Sequence, residues 1–236
     1  MYSNTNKDSA QFYCLSFKNP KRKKNMEDRF KAVGLKCTFS SGVEFTDSRI
    51  KGRLDLIKRV FSIMYGHLDM IKDFYYNSGS EYGVFCEDDI HIHKNLAKNM
   101  PQILRDFDYM KLDVLLLGYL SIQKINKNIT GFNLLKTENN GYRYYHFPNF
   151  IWGTQMYLLS KKHAKYLIDK YNTEYADKSQ KNPRMVHFAA DWTLTKDGNR
   201  ALITPIMAVE AMEKEYINDV FRVKCHTAHY DSEYYI

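Results

Sequence analysis

No stretch of the 236-residue chain carries enough consecutive apolar residues to cross a bilayer. Met1 to Lys7 is polar and lacks the apolar centre of a secretory signal. Together these absences predict a cytoplasmic protein without a transmembrane segment. Cysteine is scarce: Cys14, Cys37, Cys86 and Cys225 stand far apart with no Cys-x-x-Cys pair, so neither a zinc site nor a disulfide framework is signalled. Cys14 and Cys86 fall in apolar runs and are expected to act as small core hydrophobes. Eleven glycines and five prolines are too few for a flexible polymer, and no internal repeat or low-complexity tract is visible. A continuous basic stripe interleaved with aromatics is also missing, which argues against nucleic acid as a partner.

What is present describes a folded globule. Hydrophobic residues make up 44% and aromatics 15% of a chain long enough for one sizeable core. The net charge of +8 calls for anionic partners, among them phosphorylated small substrates.

The chain is organised around Tyr82-Gly83-Val84-Phe85-Cys86-Glu87-Asp88-Asp89-Ile90, an apolar run that ends in three carboxylates. Val84 to Cys86 reads as a strand buried on both faces, delivering its acids to a sheet edge. Three adjacent anions repel one another, and their burial is costly without a cation or several donors. A hard divalent ion is one answer, held by one or two carboxylates with substrate phosphates completing its shell. A solvated acidic turn is the other. Strand alternation would put Glu87 and Asp89 on one side and Asp88 on the other.

Before this run, Phe12 to Phe17 is a strand candidate. Asn19-Pro20 caps a helix with Met26, Phe30 and Val33 at helical spacing, and Gly34 stops it. Lys18, Lys21, Arg22, Lys23 and Lys24 crowd that turn at the positive end of the helix dipole. The arrangement suits a pyrophosphate, or else is a solvated basic turn. Leu35 to Ser41 reads as a short strand, and Leu54 to Tyr75 as one long amphipathic helix or two in line, with His67 beside its apolar stripe.

Beyond the acids, His91 and His93 alternate with isoleucines, as on an exposed strand or at a transition-metal site. Pro101 is expected to start a helix, Leu112 to Leu117 to form a buried strand, and Gly118 to end it at a close approach. Ser121 to Arg143 reads as a long polar excursion, Phe150 to Leu159 as a strand, and Ser160 as the cap of a helix carrying Ala164 and Leu167. Asn172 to Arg184 reads as a surface loop. Asp191, among Ala190 and Trp192, is either a helix cap or a carboxylate with a raised pKa. Ala201 to Val209 is expected as one last strand with Pro205 inside it, and His226 and His229 as part of a tail.

In their order, Cys14-Leu15-Ser16-Phe17, the basic turn to Lys23, Tyr65-Gly66-His67-Leu68, Phe85 to Ile90, Val114 to Gly118, Gly153 to Ser160 and Ala190-Asp191-Trp192 resemble glycosyltransferase family 25, the lipopolysaccharide-type and collagen β-galactosyltransferases. The resemblance implies an α/β fold of GT-A type, a Rossmann-like mixed sheet flanked by helices. It would be a single domain, with a nucleotide-sugar half over roughly residues 10–120 and an acceptor half over roughly 121–236. It also implies inverting transfer of galactose or glucose from a UDP-sugar, with Mn²⁺ or Mg²⁺ as cofactor, to a glycan or a hydroxylysine of a collagen-like acceptor. The alternative is a catalytically inactive glycan- or protein-binding module of the same fold.

On this reading Asp89 and Asp88 hold the metal, with His226 or His229 as a further ligand. Ser16, Arg22, Lys23, His67, Glu87 and Asp88 contact the donor, and Asp191 is the base that removes the acceptor proton. Two positions depart from the family pattern. Ser16 stands where Asn is usual, and Gly66 where Ser is usual.

Overall fold

The computed structural model describes residues 9–138, 141–212 and 217–236. The first half runs β1 (Ala10–Leu15), α1 (Pro20–Ala32), β2 (Cys37–Ser40), α2 (Asp55–Asn77), β3 (Tyr82–Glu87), β4 (Ile90–Ile92), α3 (Leu96–Tyr109) and β5 (Val114–Leu120). Next come β6 (Asn133–Thr137), β7 (Arg143–His146), β8 (Trp152–Ser160), α4 (Lys161–Lys170), α5 (Thr173–Lys181) and α6 (Ala190–Thr193). The described chain closes with β9 (Arg200–Thr204), β10 (Ala208–Glu210) and α7 (Val220–His229).

These strands form one ten-stranded mixed sheet in the order β2-β1-β3-β8-β5-β9-β7-β6, to which β10 and β4 add beside β5. The expected α/β class, a mixed sheet flanked by helices, is what is seen. β2, β1 and β3 run parallel, because α1 and α2 carry the chain back between them; β8 then lies antiparallel between β3 and β5. The central strands carry apolar residues on both faces, and the two-residue period sorts them into two cores. Tyr13, Leu15, Phe85, Leu116 and Tyr157 face the layer of α2 and α4, while Phe12, Cys14, Val84, Leu115 and Leu158 face α1 and α3. Cys14 and Cys86 are buried free thiols, as the sequence suggests.

Local signals explain most boundaries. Asn19 accepts a hydrogen bond from the Arg22 amide with Pro20 at the first helical position, and Gly34 takes φ +75° past the end of α1. The stripe from Leu54 onwards is a single helix. Gly66 on α2 faces β1, where a Cβ would come within 2.8 Å of Leu15 Cδ1. A serine there would require the helix or Leu15 to shift.

Several expectations are corrected. Pro101 sits inside α3, which begins at Leu96 because buried Leu96 and Met100 extend its apolar face upstream. Gly118 lies within β5, although the close approach is real: a Cβ would meet the Ala208 carbonyl at 2.9 Å. The polar excursion contains β6 and ends where its hairpin partner β7 begins, and the loop after Asn172 contains α5, capped by Asn172 itself. The last strand is two, β9 and β10, since Pro205 between them cannot donate to a ladder. β4 is covered by β10 and the C-terminal residues, leaving His93 buried and not on an exposed strand.

Candidate active site

Parallel β1 and β3 end side by side, and the chain turns at both ends towards the N-terminus of α1. A cleft of about 420 Å³ opens there, lined by Asn19, Arg22, Phe45, Arg59 and all three acids Glu87, Asp88 and Asp89. Open parallel sheets bind ligands beyond the carboxyl ends of their strands for this topological reason.

The acids divide differently from strand alternation. β3 ends at Glu87, and the chain bends through the next two residues, so Asp88 and Asp89 turn together towards α1. Arg22 Nη1 lies 3.7 Å from Asp88 Oδ1 and 3.4 Å from Asp89 Oδ2. Ser16 Oγ donates to Asp88 Oδ2 at 2.6 Å, which places the serine at the acids. Glu87 turns the other way: its Oε1 accepts from Thr154 Oγ1 at 2.8 Å and lies 3.5 Å from His67 Nε2.

Asp88 and Asp89 are 8% and 6% exposed, and that burial sets their chemistry. Burial, then repulsion from Glu87, pushes Asp89 up to about 7 against the pull of Arg22. Asp88 is raised as well, chiefly by burial, with the Ser16 bond opposing. Burial also works to raise Glu87, but the neighbouring His67 imidazole, with the Thr154 bond, holds it below the ordinary carboxylate value. The pair Asp88 and Asp89 is thus short of positive charge at neutral pH.

The opposite side of Glu87 leads to Asp191. Asp191 Oδ1 accepts from the amides of Gly153 and Thr154, both at 3.2 Å, and lies 2.8 Å from Thr154 Oγ1. One hydroxyl hydrogen therefore serves two carboxylates, Glu87 and Asp191. Burial, then repulsion from Glu87, raises the Asp191 carboxyl, while the Thr154 bonds oppose. The helix-cap alternative for Asp191 is removed, because Ala189 occupies the cap of α6.

Other expected site residues lie elsewhere. His67 is fully buried on the inner face of α2, with Nδ1 3.0 Å from Tyr157 OH, so it orients Glu87 from beneath and does not face the cleft. Lys23 points away: its ammonium lies 3.9 Å from Glu27 and over the Phe39 ring, because one residue along a helix rotates the side chain by about 100° from Arg22. His226 and His229 belong to α7. His226 Nδ1 lies 2.8 Å from the Glu210 carbonyl and His229 Nε2 3.1 Å from the Ser121 carbonyl, and His229 lines a second cavity with His93 and Tyr235. Neither histidine is held against the acids.

Among the described residues, no three His, Cys, Asp or Glu side chains are grouped to hold a metal by themselves. Asp88 and Asp89, two neighbouring carboxylates lacking balancing charge, fit a hard divalent ion that takes its remaining ligands from a diphosphate.

Three contributors were not marked as site residues, although Thr154 and Tyr157 fall in the Gly153 to Ser160 stretch. Thr154 is a hydroxyl inside a strand, Tyr157 an aromatic in the core, and Arg222 a cation in an unmarked helix. Arg222 pairs with Glu210, and its charge also bears on Glu87 and Asp89.

No family model matches the chain, and no curated protein matches it in sequence. Among solved structures it is similar to A197 from STIV, at 11% identity and TM-score 0.42 over 86% of each chain. It is similar to HddC from Yersinia pseudotuberculosis at 11% and 0.40, over 82% of this chain and 89% of that one. A glycosyltransferase involved in the glycosylation of the major capsid of PBCV-1 aligns at 10% and 0.35, over 94% and 90%. Likeness this distant carries no argument about chemistry, which rests on the site alone.

Proposed function

We propose that the chain is a hexosyltransferase that moves galactose or glucose from a UDP-sugar to an acceptor hydroxyl, with inversion at the sugar carbon. The observation that carries this reading is one cleft lined by Arg22, Glu87, Asp88 and Asp89, with Ser16 bonded to Asp88 and Asp191 joined to Glu87 through Thr154. Charge-deficient carboxylates beside a guanidinium suit a diphosphate that arrives with a divalent cation. Arg59 and Lys18 in the same cleft favour an anionic ligand further.

Mn²⁺ or Mg²⁺, held by Asp88 and Asp89, would supply Lewis-acid neutralisation of the leaving diphosphate. The protein's own groups do the rest. Arg22 donates hydrogen bonds to diphosphate oxygens as negative charge develops on them. Asp191 takes the proton of the acceptor hydroxyl while that oxygen bonds to the anomeric carbon and the carbon–oxygen bond to the diphosphate breaks. Gly153, Thr154 and the Thr154 hydroxyl hold the carboxylate in place for that transfer. His67 and Tyr157 fix Glu87, which borders both halves of the site.

The test is UDP release from a panel of UDP-sugars with Mn²⁺. A chelator should stop turnover, Asp89→Ala should lower it by about 10²–10³-fold, and Asp191→Asn should slow transfer by about 10²–10⁴-fold while leaving the UDP-induced rise in melting temperature intact. Full turnover in chelator and in Asp89→Ala would refute the assignment.

A further inference from the structure

Three aromatic side chains from separate elements meet at the surface beside Asp191. Trp152 opens β8, Trp192 lies on α6 and Phe221 on α7. The Trp152 ring sits edge-on to both others, with centroids 6.3 Å from Trp192 and 6.0 Å from Phe221. Trp192 is 41% and Phe221 44% exposed. Single exposed apolar residues are ordinary, but a cluster of two indoles and a phenyl from three distant segments is not scattered surface.

Its position ties the cluster to the reaction. Trp192 follows Asp191 in sequence, and Trp152 precedes Gly153, whose amide donates to Asp191. Both indoles are thus carried by residues next in the chain to Asp191 and to one of the amides that hold it. Glu87 lines the donor cleft while Asp191 and the three rings do not, so the cluster lies outside the space left for the donor.

Resting on the function proposed above, we infer that Trp152, Trp192 and Phe221 form the acceptor subsite, and that the acceptor is a saccharide stacked on these rings with a hydroxyl turned to Asp191. A pyranose presents one face of C–H bonds and an edge of hydroxyls. It matches an aromatic surface rimmed by a carboxylate, where apolar contact and hydrogen bonding are needed side by side. Trp152 lies about 6 Å from each of the other two rings and edge-on to both, and Trp192 and Phe221 are the exposed members of the cluster. A hydroxylysine side chain, a single flexible stem ending in an ammonium, would use only one ring.

The chain contains two tryptophans, both in this cluster, so intrinsic fluorescence reads the subsite directly. The full chain is titrated, without donor, with cellobiose, lactose and maltotriose, with a hydroxylysine peptide, and with UDP plus Mn²⁺. A saturable change in emission is expected with at least one saccharide. Trp192→Ala should weaken that binding by about tenfold, followed by calorimetry and with folding checked by melting temperature, while Trp192→Phe stays within about threefold. Tyr109→Ala, an exposed aromatic outside the cluster, should bind as the parent chain does. The inference is overturned if no saccharide changes the emission, if only the peptide or UDP does, or if Trp192→Ala binds saccharide undiminished. UDP with Mn²⁺ raising the melting temperature in a chain that ignores saccharides would remove the subsite and leave the hexosyltransferase reading standing.

Discussion

Among the described residues, the buried acids Asp106 and Asp89 are built to opposite ends. Asp106 on α3 is fully buried, paired with Lys136 and bonded by Tyr144 OH at 2.7 Å and Gln102 Nε2 at 2.9 Å. Its donors arrive from α3 itself and from both strands of the β6–β7 hairpin, so the charge is matched and the hairpin is fastened to the helix. Asp89 is nearly as buried, yet its neighbours include two further carboxylates, and Arg22 does not offset them. The first site closes over its charge; the second opens it to a cleft. Burial by itself therefore does not mark function. The balance between anions and donors does, because uncompensated charge is a cost the fold carries until a ligand relieves it.

The contrast is broken most forcefully by exchanging the two losses. Asp106→Ala should cost about 1–3 kcal/mol of stability, since it leaves the buried Tyr144 hydroxyl without its acceptor and Lys136 with Glu138 alone, with little change in turnover per folded molecule. Asp89→Ala should do the reverse, lowering transfer by about 10²–10³-fold while the melting temperature holds or rises. Denaturant unfolding and UDP release on the same two variants decide the matter; equal stability losses would erase the distinction.

A smaller effect sharpens the role of the shared hydroxyl. Asp191 acts as a base only when ionised, so activity should rise with pH through its raised pKa. Thr154→Val removes a donor to the ionised form and should move that acidic limb upward by about one pH unit, with Thr154→Ser restoring it. A variant that merely lost activity at every pH would show a packing role instead.

The smallest effect concerns a buried group with a different imbalance. His163 on α4 is 4% exposed, and burial depresses its pKa against the opposing charges of Asp113 and Asp197. Below the unfolded value of about 6.5 the unfolded chain binds the proton more readily, so this part of the stability is present above that pH and is lost as pH falls towards the folded value. The slope is at most about 1.4 kcal/mol per pH unit, and His163→Phe should flatten it in pH-dependent thermal melts.

Much of this was legible in the chain. The apolar run into Glu87, Asp88 and Asp89, the Asn19-Pro20 cap and the long stripe of α2 all appear as read, because each is a local pattern whose burial needs no distant partner. Ser16, Arg22 and Asp191 were marked as site residues, and the structure brings them to the acids. Lys23, His226 and His229 were marked on the same grounds and lie elsewhere. One helical step or an unanticipated helix decides where such a side chain points. The β6–β7 hairpin escaped because β6 is largely exposed and carries no buried alternation, and because β7 is held in the sheet by β9, a partner far along the chain.

Sequence alone settled the alternation of strands and helices, the buried character of the central strands and the crowding of negative charge at the end of one of them, since periodicity and adjacency are properties of the chain itself. Tertiary structure alone decided which acids face Arg22, that Thr154 bridges Glu87 to Asp191, and that Trp152, Trp192 and Phe221 meet. Those contacts join residues dozens of positions apart, and their distances are fixed by how the sheet is ordered and not by any spacing in the sequence.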